Sequence, residues 1–184
     1  MSDAGLSPMA PVDVPDGYPR DLEQWVDLAD GDRVFVRPMI PEDVARIQYA
    51  FEHADIDSVR RRFFTAAPPS DRAHMEYLAT VDFDRRLALL AMDDQGNSIG
   101  VARYEQESEG EAEIAIVVAP GWRRKGVASM LVSLLDEPAR SHGFTVLKAY
   151  YLPSNKAVEK MLISIGYAPS DVTDGVACLR KPIA

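Results

Sequence analysis

The sequence predicts a single α+β domain in which a mixed sheet carries helices on its faces. Two observations predict this class. Amphipathic helical patterns dominate the stretch before about residue 80, and short apolar strands separated by turns and helical segments follow it. The chain has 184 residues, which is enough for one core and too few for two domains of ordinary size. We therefore expect one functional site.

The first 20 residues predict a disordered arm, because they are rich in Pro, Gly, Ser, Asp and Ala and show no sustained periodicity. The folded domain is then expected to span residues 21–184. Within it, residues 33–37 alternate between polar and apolar side chains, as a short strand does.

Three helices are predicted next, over residues 41–53, 55–64 and 70–80. Pro41 with two following acidic residues is typical of a first helical turn, and Ser70 can cap the third helix. Three apolar residues of that third helix are expected to face the core: Met75, Leu78 and Ala79.

The period then changes to that of strands. Residues 87–92 and 99–104 predict a hairpin around an Asp-rich turn, and residues 113–118 predict the next strand. A long helix is predicted over 123–141, with Pro138 loosening its last turn. The remaining pattern predicts a strand, a helix and a closing strand, over 144–151, 155–165 and 176–179.

Composition excludes several classes of function. A net charge of −9 and a pI near 4.8 argue against a nucleic-acid footprint. No apolar run approaches the ~20 residues of a membrane span, and the amino terminus lacks a secretory signal, so we expect a cytoplasmic protein without a membrane partner. Cys178 is the single cysteine and is expected in the core.

The segment from Glu113 to Ala128 combines a buried strand, a tight turn and a helix start. The first amides of a helix have no intrahelical partner, so such a corner binds anions such as a pyrophosphate. The adjacent bases Arg123, Arg124 and Lys125 would strengthen this site, although three adjacent bases alone are more typical of a solvated surface patch. Neither a P-loop nor a dinucleotide fingerprint matches the turn.

These residues resemble the acyl-CoA loop of the GNAT family of N-acetyltransferases, with the pattern Gln/Arg-x-x-Gly-x-Gly/Ala, here Arg123, Gly126 and Ala128. A second family feature is Asn155 followed by Gly166 and Tyr167. The resemblance implies acetyl-CoA as co-substrate, no metal, and a GNAT sheet that splays between the family's fourth and fifth strands. It also implies a set of cofactor-binding residues: Ile116, Val117, Val118, Arg123, Arg124, Lys125, Gly126, Val127, Ala128 and Asn155.

Within the family, the chain is most similar to bacterial Pat-type protein lysine acetyltransferases. Three short segments carry this similarity: 61–64, 102–104 and 112–115. The resemblance implies a protein substrate such as an acyl-CoA synthetase, with Arg61 and Arg62 facing that substrate or simply solvent. The regulatory modules that often accompany such enzymes are absent from the sequence, so their allosteric control is not expected.

Glu113 is the predicted catalytic base. A lysine amine has a reference pKa near 10.4 and must lose a proton before it attacks a thioester; the alternative is that Glu113 merely faces solvent. The amide of Val117 would hold the oxyanion. Leu162 occupies the position at which many relatives carry a tyrosine general acid. The thiolate therefore leaves unassisted, or Tyr150, Tyr151 or a water donates the proton.

Two other functions stay open at this point. The chain could acetylate a small amine or a protein amino terminus, or it could be a non-catalytic acyl-CoA-binding regulator. His53, His74 and His142 lie on or beside predicted helices without metal-ligand spacing, and we expect them at the surface. No pattern predicts an oligomeric state.

Overall fold

A computed structural model describes residue 11, residues 13–52 and residues 72–184, with only the backbone described at residues 51 and 52. Several predictions fall outside this part of the chain. They concern residues 1–10 and 12 of the arm, the helix over 55–64 with Arg61 and Arg62, the cap at Ser70, and His53.

The structure is built on one sheet of eight strands in the order β1-β2-β3-β4-β5-β6-β8-β7. The strands are β1 Gln24–Asp27, β2 Arg33–Pro38, β3 Arg86–Met92, β4 Ser98–Ser108, β5 Glu111–Val118, β6 Val146–Tyr151, β7 Ala168–Thr173 and β8 Val176–Pro182. All neighbours pair antiparallel except β5 and β6, which are parallel. The predicted α+β class with a mixed sheet is confirmed.

The described helices cover both faces of this sheet. They are α1 Val44–Glu52, α2 Arg72–Ala79, α3 Val127–Leu134, α4 Asp136–Ser141 and α5 Lys156–Ser164. On one face, Ile47, Met75 and Leu78 of α1 and α2 pack on β2 and β3. On the other, Leu131 and Leu162 of α3 and α5 join the main core with the apolar side chains of β4 to β6.

The helix predicted over 123–141 is wrong at its start and in its continuity. Gly126 has φ +88° and Arg124 has φ +64°, so residues 123–126 leave helical space and α3 begins only at Val127. A break at Leu135 separates α3 from α4. Pro138 lies in the first turn of α4, where its missing N–H is not needed, so it begins a helix and does not loosen the end of one.

The structure also differs from the predictions at the start of the first helix and in two additional strands. The predicted helix over 41–53 opens with a 3-10 turn, Pro41–Asp43, before α1. Strands β1 and β7 were not predicted, because β1 is only 4 residues long and every residue of β7 is exposed. Neither therefore shows the apolar alternation on which strand prediction depends.

The last described residues of the predicted arm contact the folded domain. Tyr18 is only 9% exposed, and its ring packs edge-on against Phe83 with centroids 5.6 Å apart. Val14 also packs against the main core. Burial of these side chains holds the chain on the domain before residue 20.

A buried ion pair joins β2 to the 3-10 turn that precedes α1. Arg37 and Asp43 make two hydrogen bonds of 2.7 Å, Nη1 to Oδ2 and Nη2 to Oδ1, and Asp43 also accepts a bond from the Ile40 amide at 3.0 Å. Arg37 is 4% exposed and Asp43 is 3% exposed. Because both charges are paired and hydrogen-bonded, their burial is tolerated.

Cys178 is buried as predicted.

Candidate active site

The two parallel strands at the centre of the sheet separate partway along their length. Their pairing runs from Glu111 opposite Val146 to Ile114 opposite Ala149 and ends there. Beyond it, residues 115–118 keep their pairing with β4, and the last residues of β6 keep theirs with β8. The opening is a cleft of about 770 Å³, and it confirms the predicted splay.

The corner between β5 and α3 forms one end of this cleft. A 3-10 turn, Pro120–Trp122, follows β5. Gly126 occupies the N-cap position of α3, so no side chain caps the first amides of that helix. The first backbone bond into the corner runs from the Met130 amide to the Gly126 carbonyl at 3.0 Å. The amides before Met130 in α3 have no acceptor within the helix, so they can receive an anion.

Most of the predicted site residues lie on the wall of this cleft. The structure brings together nine of them: Glu113, Ile116, Val117, Val118, Arg123, Arg124, Gly126, Ala128 and Asn155. Two of the predicted residues are not among the lining residues. The side chain of Val127 is 1% exposed and packs in the core, and that of Lys125 forms ion pairs with Asp30 and Asp32. Two carboxylates therefore hold the ammonium of Lys125, which is not part of the cleft lining.

Asn155 lies at the opposite wall, where α5 begins. Its Oδ1 accepts a hydrogen bond from the Val158 amide at 3.4 Å, as an N-cap residue does. Asn155 thus holds the first turn of α5 in place, and its predicted contact with acetyl-CoA would use the NH₂ group. The contact itself stays a prediction.

Glu113 lies at the fork between β5 and β6. It is half-buried and lines the cleft, and its backbone partners are Glu105 on β4 and Lys148 on β6. Because successive side chains of a strand alternate, Glu111, Glu113 and Val117 share one face of β5, opposite the buried Ala112 and Ile114. This places the carboxylate on the face that is not packed against α3 and α5.

Further charged groups surround Glu113 on that face. The ammonium of Lys148 lies 2.6 Å from Glu111 Oε2 and 3.0 Å from Glu107 Oε2. Hydrogen bonds from Lys148 and Ser108 hold the pKa of Glu111 below its ordinary value, and the bond to Glu111 raises the pKa of Lys148. Lys148 therefore carries a stable positive charge that neutralises part of this carboxylate group.

The two tyrosines that could donate a proton to the leaving thiolate, Tyr150 and Tyr151, already donate hydrogen bonds to carboxylates. Tyr150 donates its hydroxyl to Glu107 at 2.6 Å, and Tyr151 donates to Glu159 at 3.0 Å. The bond to Glu107 raises the pKa of Tyr150, whereas burial and then the bond to Glu159 raise that of Tyr151. Both phenols line the cleft, yet each directs its proton to a carboxylate. Proton donation to a leaving thiolate would break one of these bonds.

Sequence reasoning missed several residues of the cleft wall. Those that line it without having been predicted as cofactor contacts include Ala115, Trp122, Ser129, Ala149, Lys156, Val158, Lys160 and Met161. Lys156 and Lys160 are four residues apart in α5, so helical spacing after Asn155 could have identified both as neighbours on one face.

Neither of the two histidines in the described part of the chain, His74 and His142, lines this cleft. Nδ1 of His142 lies 2.8 Å from the hydroxyl of the buried Tyr104, away from the cleft lining. Across residues 11, 13–52 and 72–184, no three His, Cys, Asp or Glu side chains are grouped to hold a metal ion. In the same ranges, no helix has the length and hydropathy that a bilayer crossing needs.

The acetyltransferase (GNAT) domain family matches residues 33–168, which is most of the chain and includes both walls of the cleft. The chain belongs to the GNAT family of acetyltransferases. It is therefore an acyl-CoA-dependent N-acetyltransferase with acetyl-CoA as co-substrate.

Individual GNAT relatives agree with this assignment. The solved GNAT domain of S. lividans PAT has a TM-score of 0.83 and 30% identity, covering 90% of this chain and 99% of that domain. Acetyltransferase PA5475 of Pseudomonas aeruginosa is 25% identical over 82% of this chain and 86% of its own length. Acetyltransferase Pat of Mycolicibacterium smegmatis is 28% identical over 77% of this chain, which spans only 43% of that relative. The Pat-type resemblance is thus confirmed at the level of the GNAT domain.

Proposed function

We propose that this GNAT enzyme transfers acetyl from acetyl-CoA to a lysine side chain of a protein, such as an acyl-CoA synthetase. The observation that carries the proposal is the position of Glu113 at the fork of β5 and β6, on the face that carries further carboxylates. The similarity to the GNAT domain of S. lividans PAT supports the same assignment.

In the proposed complex, the two walls of the cleft hold acetyl-CoA. The pyrophosphate binds at the amides that open α3, where Gly126 has no Cβ to obstruct it. The pantetheine arm lies along the edge of β5 at Ile116 to Val118, where that strand has parted from β6, and Asn155 contacts it from α5. Lys160 on the same wall adds positive potential that favours a phosphorylated co-substrate, whereas the charge of Lys156 is paired with Glu159.

The proposed reaction is a direct transfer. The acceptor amine attacks the thioester carbonyl, a C–N bond forms, and the C–S bond breaks as the thiolate departs with its electron pair. Glu113 takes the proton that the amine must lose, and the Val117 amide stabilises the oxyanion. A thiol with a pKa near 8.5 is a competent leaving group, so the buried Leu162 in place of a tyrosine is compatible with turnover.

The surroundings of Glu113 favour a cationic acceptor over a neutral one. Four carboxylates occupy neighbouring positions of β4 and β5: Glu105, Glu107, Glu111 and Glu113. Three described cations pair with this group: Arg86 with Glu105, Lys148 with Glu107 and Glu111, and Arg180 with Glu111. The four carboxylates outnumber these cations by one, and the remaining negative charge favours a positively charged lysine over an acidic acceptor.

Two other functions compete with this proposal. A small amine, or a protein amino terminus, would also be attracted by the carboxylates. A non-catalytic regulator would bind acetyl-CoA without turnover, and the engaged hydroxyls of Tyr150 and Tyr151 are compatible with that function. The carboxylate at the fork favours catalysis, because a regulator has no use for a base there.

Mass spectrometry of reaction products separates these functions. The enzyme is incubated with acetyl-CoA and either an acyl-CoA synthetase or a panel of polyamines, and a Glu113→Gln variant serves as the catalytic control. We expect acetyl-lysine on the synthetase that disappears with the variant. Acetylated polyamines alone would show that the acceptor is a small amine, and tight acetyl-CoA binding without any product would indicate a regulator.

We expect the enzyme to act in the cytoplasm, where acetyl-CoA is made.

A further inference from the structure

Lys125 connects the corner before α3 to a distant turn of the chain. Its Nζ lies 3.1 Å from Asp30 Oδ2 and forms a second, shorter ion pair with Asp32. The same ammonium lies over the ring of Trp122, 5.0 Å from its centroid. Asp30 and Asp32 belong to the turn between β1 and β2, about 90 residues earlier in the sequence.

The β1–β2 turn, whose carboxylates bind Lys125, is closed by hydrogen bonds of its own. The Leu28 amide donates to the Asp32 carbonyl at 2.7 Å, and the Gly31 amide donates to the Leu28 carbonyl at 3.0 Å. The Asp32 amide donates to Asp30 Oδ1 at 3.2 Å. The two carboxylates are therefore presented from a closed hairpin turn, which is paired through β2 to the rest of the sheet.

The corner itself contains backbone that needs support. Arg124 has a φ of +64° although it is not glycine, a conformation that L-residues adopt at an energetic cost. Local bonds in this corner include the Trp122 amide to the Ala119 carbonyl at 2.9 Å and Arg123 Nε to the Val118 carbonyl at 3.3 Å. Lys125 adds an anchor outside the corner, immediately before the Gly126 cap.

We propose that Lys125 is a positioning residue, which clamps the corner at residues 123–126 to the β1–β2 turn so that the first amides of α3 face the pyrophosphate. The inference rests on the proposed location of that pyrophosphate. Two carboxylates on one ammonium leave no net positive charge to attract a phosphate. The side chain thus acts through the conformation of the corner. Hydrogen bonds to Asp32 and Asp30 raise the pKa of Lys125, so the clamp stays charged at neutral pH.

Neutralising the two aspartates distinguishes a clamp from a direct phosphate ligand, because the two roles predict opposite signs. If Lys125 is a clamp, an Asp30→Asn/Asp32→Asn variant loosens the corner and weakens acetyl-CoA binding. If Lys125 binds phosphate directly, the same variant releases the ammonium and strengthens binding. Exposed ion pairs are individually weak, so we expect the dissociation constant for acetyl-CoA to rise about 3- to 10-fold. KM for acetyl-CoA should rise in parallel, with little change in kcat.

Three further variants complete the experiment. A charge swap, Lys125→Asp with Asp32→Lys, keeps an ion pair between the two positions. It should therefore recover part of the acetyl-CoA affinity that the Asp30→Asn/Asp32→Asn variant loses. Asp94→Asn/Glu109→Gln removes the same two charges from exposed turns and should leave affinity unchanged. Gly126→Ala tests the pyrophosphate site itself, and thermal melts of every variant confirm that the folded protein is being titrated.

The outcomes separate the clamp from the proposed site. Weaker binding for the aspartate variant, partial rescue by the swap and no effect of the control pair would support the clamp. Unchanged or tighter binding by the aspartate variant, with Gly126→Ala still weakening it, would overturn the clamp and leave the proposed site standing. Unchanged binding by Gly126→Ala would show that the pyrophosphate lies elsewhere, and both inferences would be wrong.

Discussion

Ile114 of β5 lies opposite Ala149 of β6 in the last backbone pair that joins these two strands. The strands part beyond this pair, and the cleft opens between them. Glu113 precedes Ile114, so its side chain lies on the other face of the sheet at the fork. A thioester held in the cleft and an amine approaching from the Glu113 face would meet at this position.

Replacing Glu113 by Gln should lower the acetyl-transfer rate by about 10²- to 10⁴-fold, the contribution of one positioned base. Gln keeps the size of the side chain but cannot take the proton, so affinity for acetyl-CoA should be unchanged. Single-turnover assays and calorimetry measure the two quantities separately. Glu109→Gln, at an exposed position in the turn before β5, is the matched control. An unchanged rate for Glu113→Gln would show that the base is another group.

Gly126→Ala should weaken acetyl-CoA binding. The residue has φ +88° and lines the cleft, so a Cβ would strain the backbone and approach the bound phosphate. Gly143→Ala is the matched control, because Gly143 has φ +83° with open space around it and is not among the cleft residues. Both variants should lose stability in thermal melts. Only Gly126→Ala should lose affinity in calorimetry, and equal affinity losses would point to a general effect of strain.

Asp43→Ala should destabilise the fold by about 3–5 kcal/mol, because it leaves the buried charge of Arg37 without its partner. Replacing both residues by apolar side chains, Arg37→Met with Asp43→Leu, removes the unpaired charge and should be less harmful than Asp43→Ala alone. Chemical denaturation of the wild type, the single variants and the double variant measures the coupling. Additive losses in the double variant would contradict the view that the pair acts as one unit.

Acid should selectively weaken the contribution of Glu111. Its pKa is lower in the folded chain than in a free carboxyl because Lys148 and Ser108 donate hydrogen bonds to it. A group of this kind stabilises the fold above its unfolded pKa of about 4.3, and the contribution is lost as the pH falls through the lower folded pKa. The wild type should therefore exceed Glu111→Gln in stability at pH 7, and this difference should shrink below about pH 4.

Urea denaturation of both proteins across this pH range measures the difference, with Glu109→Gln as the control for charge alone. A stability difference that stays constant from neutral pH into the acid range would show that Glu111 contributes through packing, with no role for its charge.

Local pattern was sufficient to predict most of the core elements. Met75, Leu78 and Ala79 are buried in α2 as helical spacing predicts, and the apolar run of β3 is a strand as predicted. The pattern was insufficient where an element has no apolar face. All of β7 is exposed, and β7 exists because its backbone pairs with β8, which no local periodicity reports.

The sequence by itself determined the α+β class, the order of the central elements and the presence of a turn between β5 and the next helix, because hydrophobic period and glycine positions act over a few neighbouring residues. Only the tertiary structure decided where β5 and β6 part, because that depends on pairing between strands far apart in the chain. It also decided the partners of Lys125. Its charge suggested a phosphate ligand, but folding brings Asp30 and Asp32 to its ammonium, and an ion pair forms wherever the fold places opposite charges in contact.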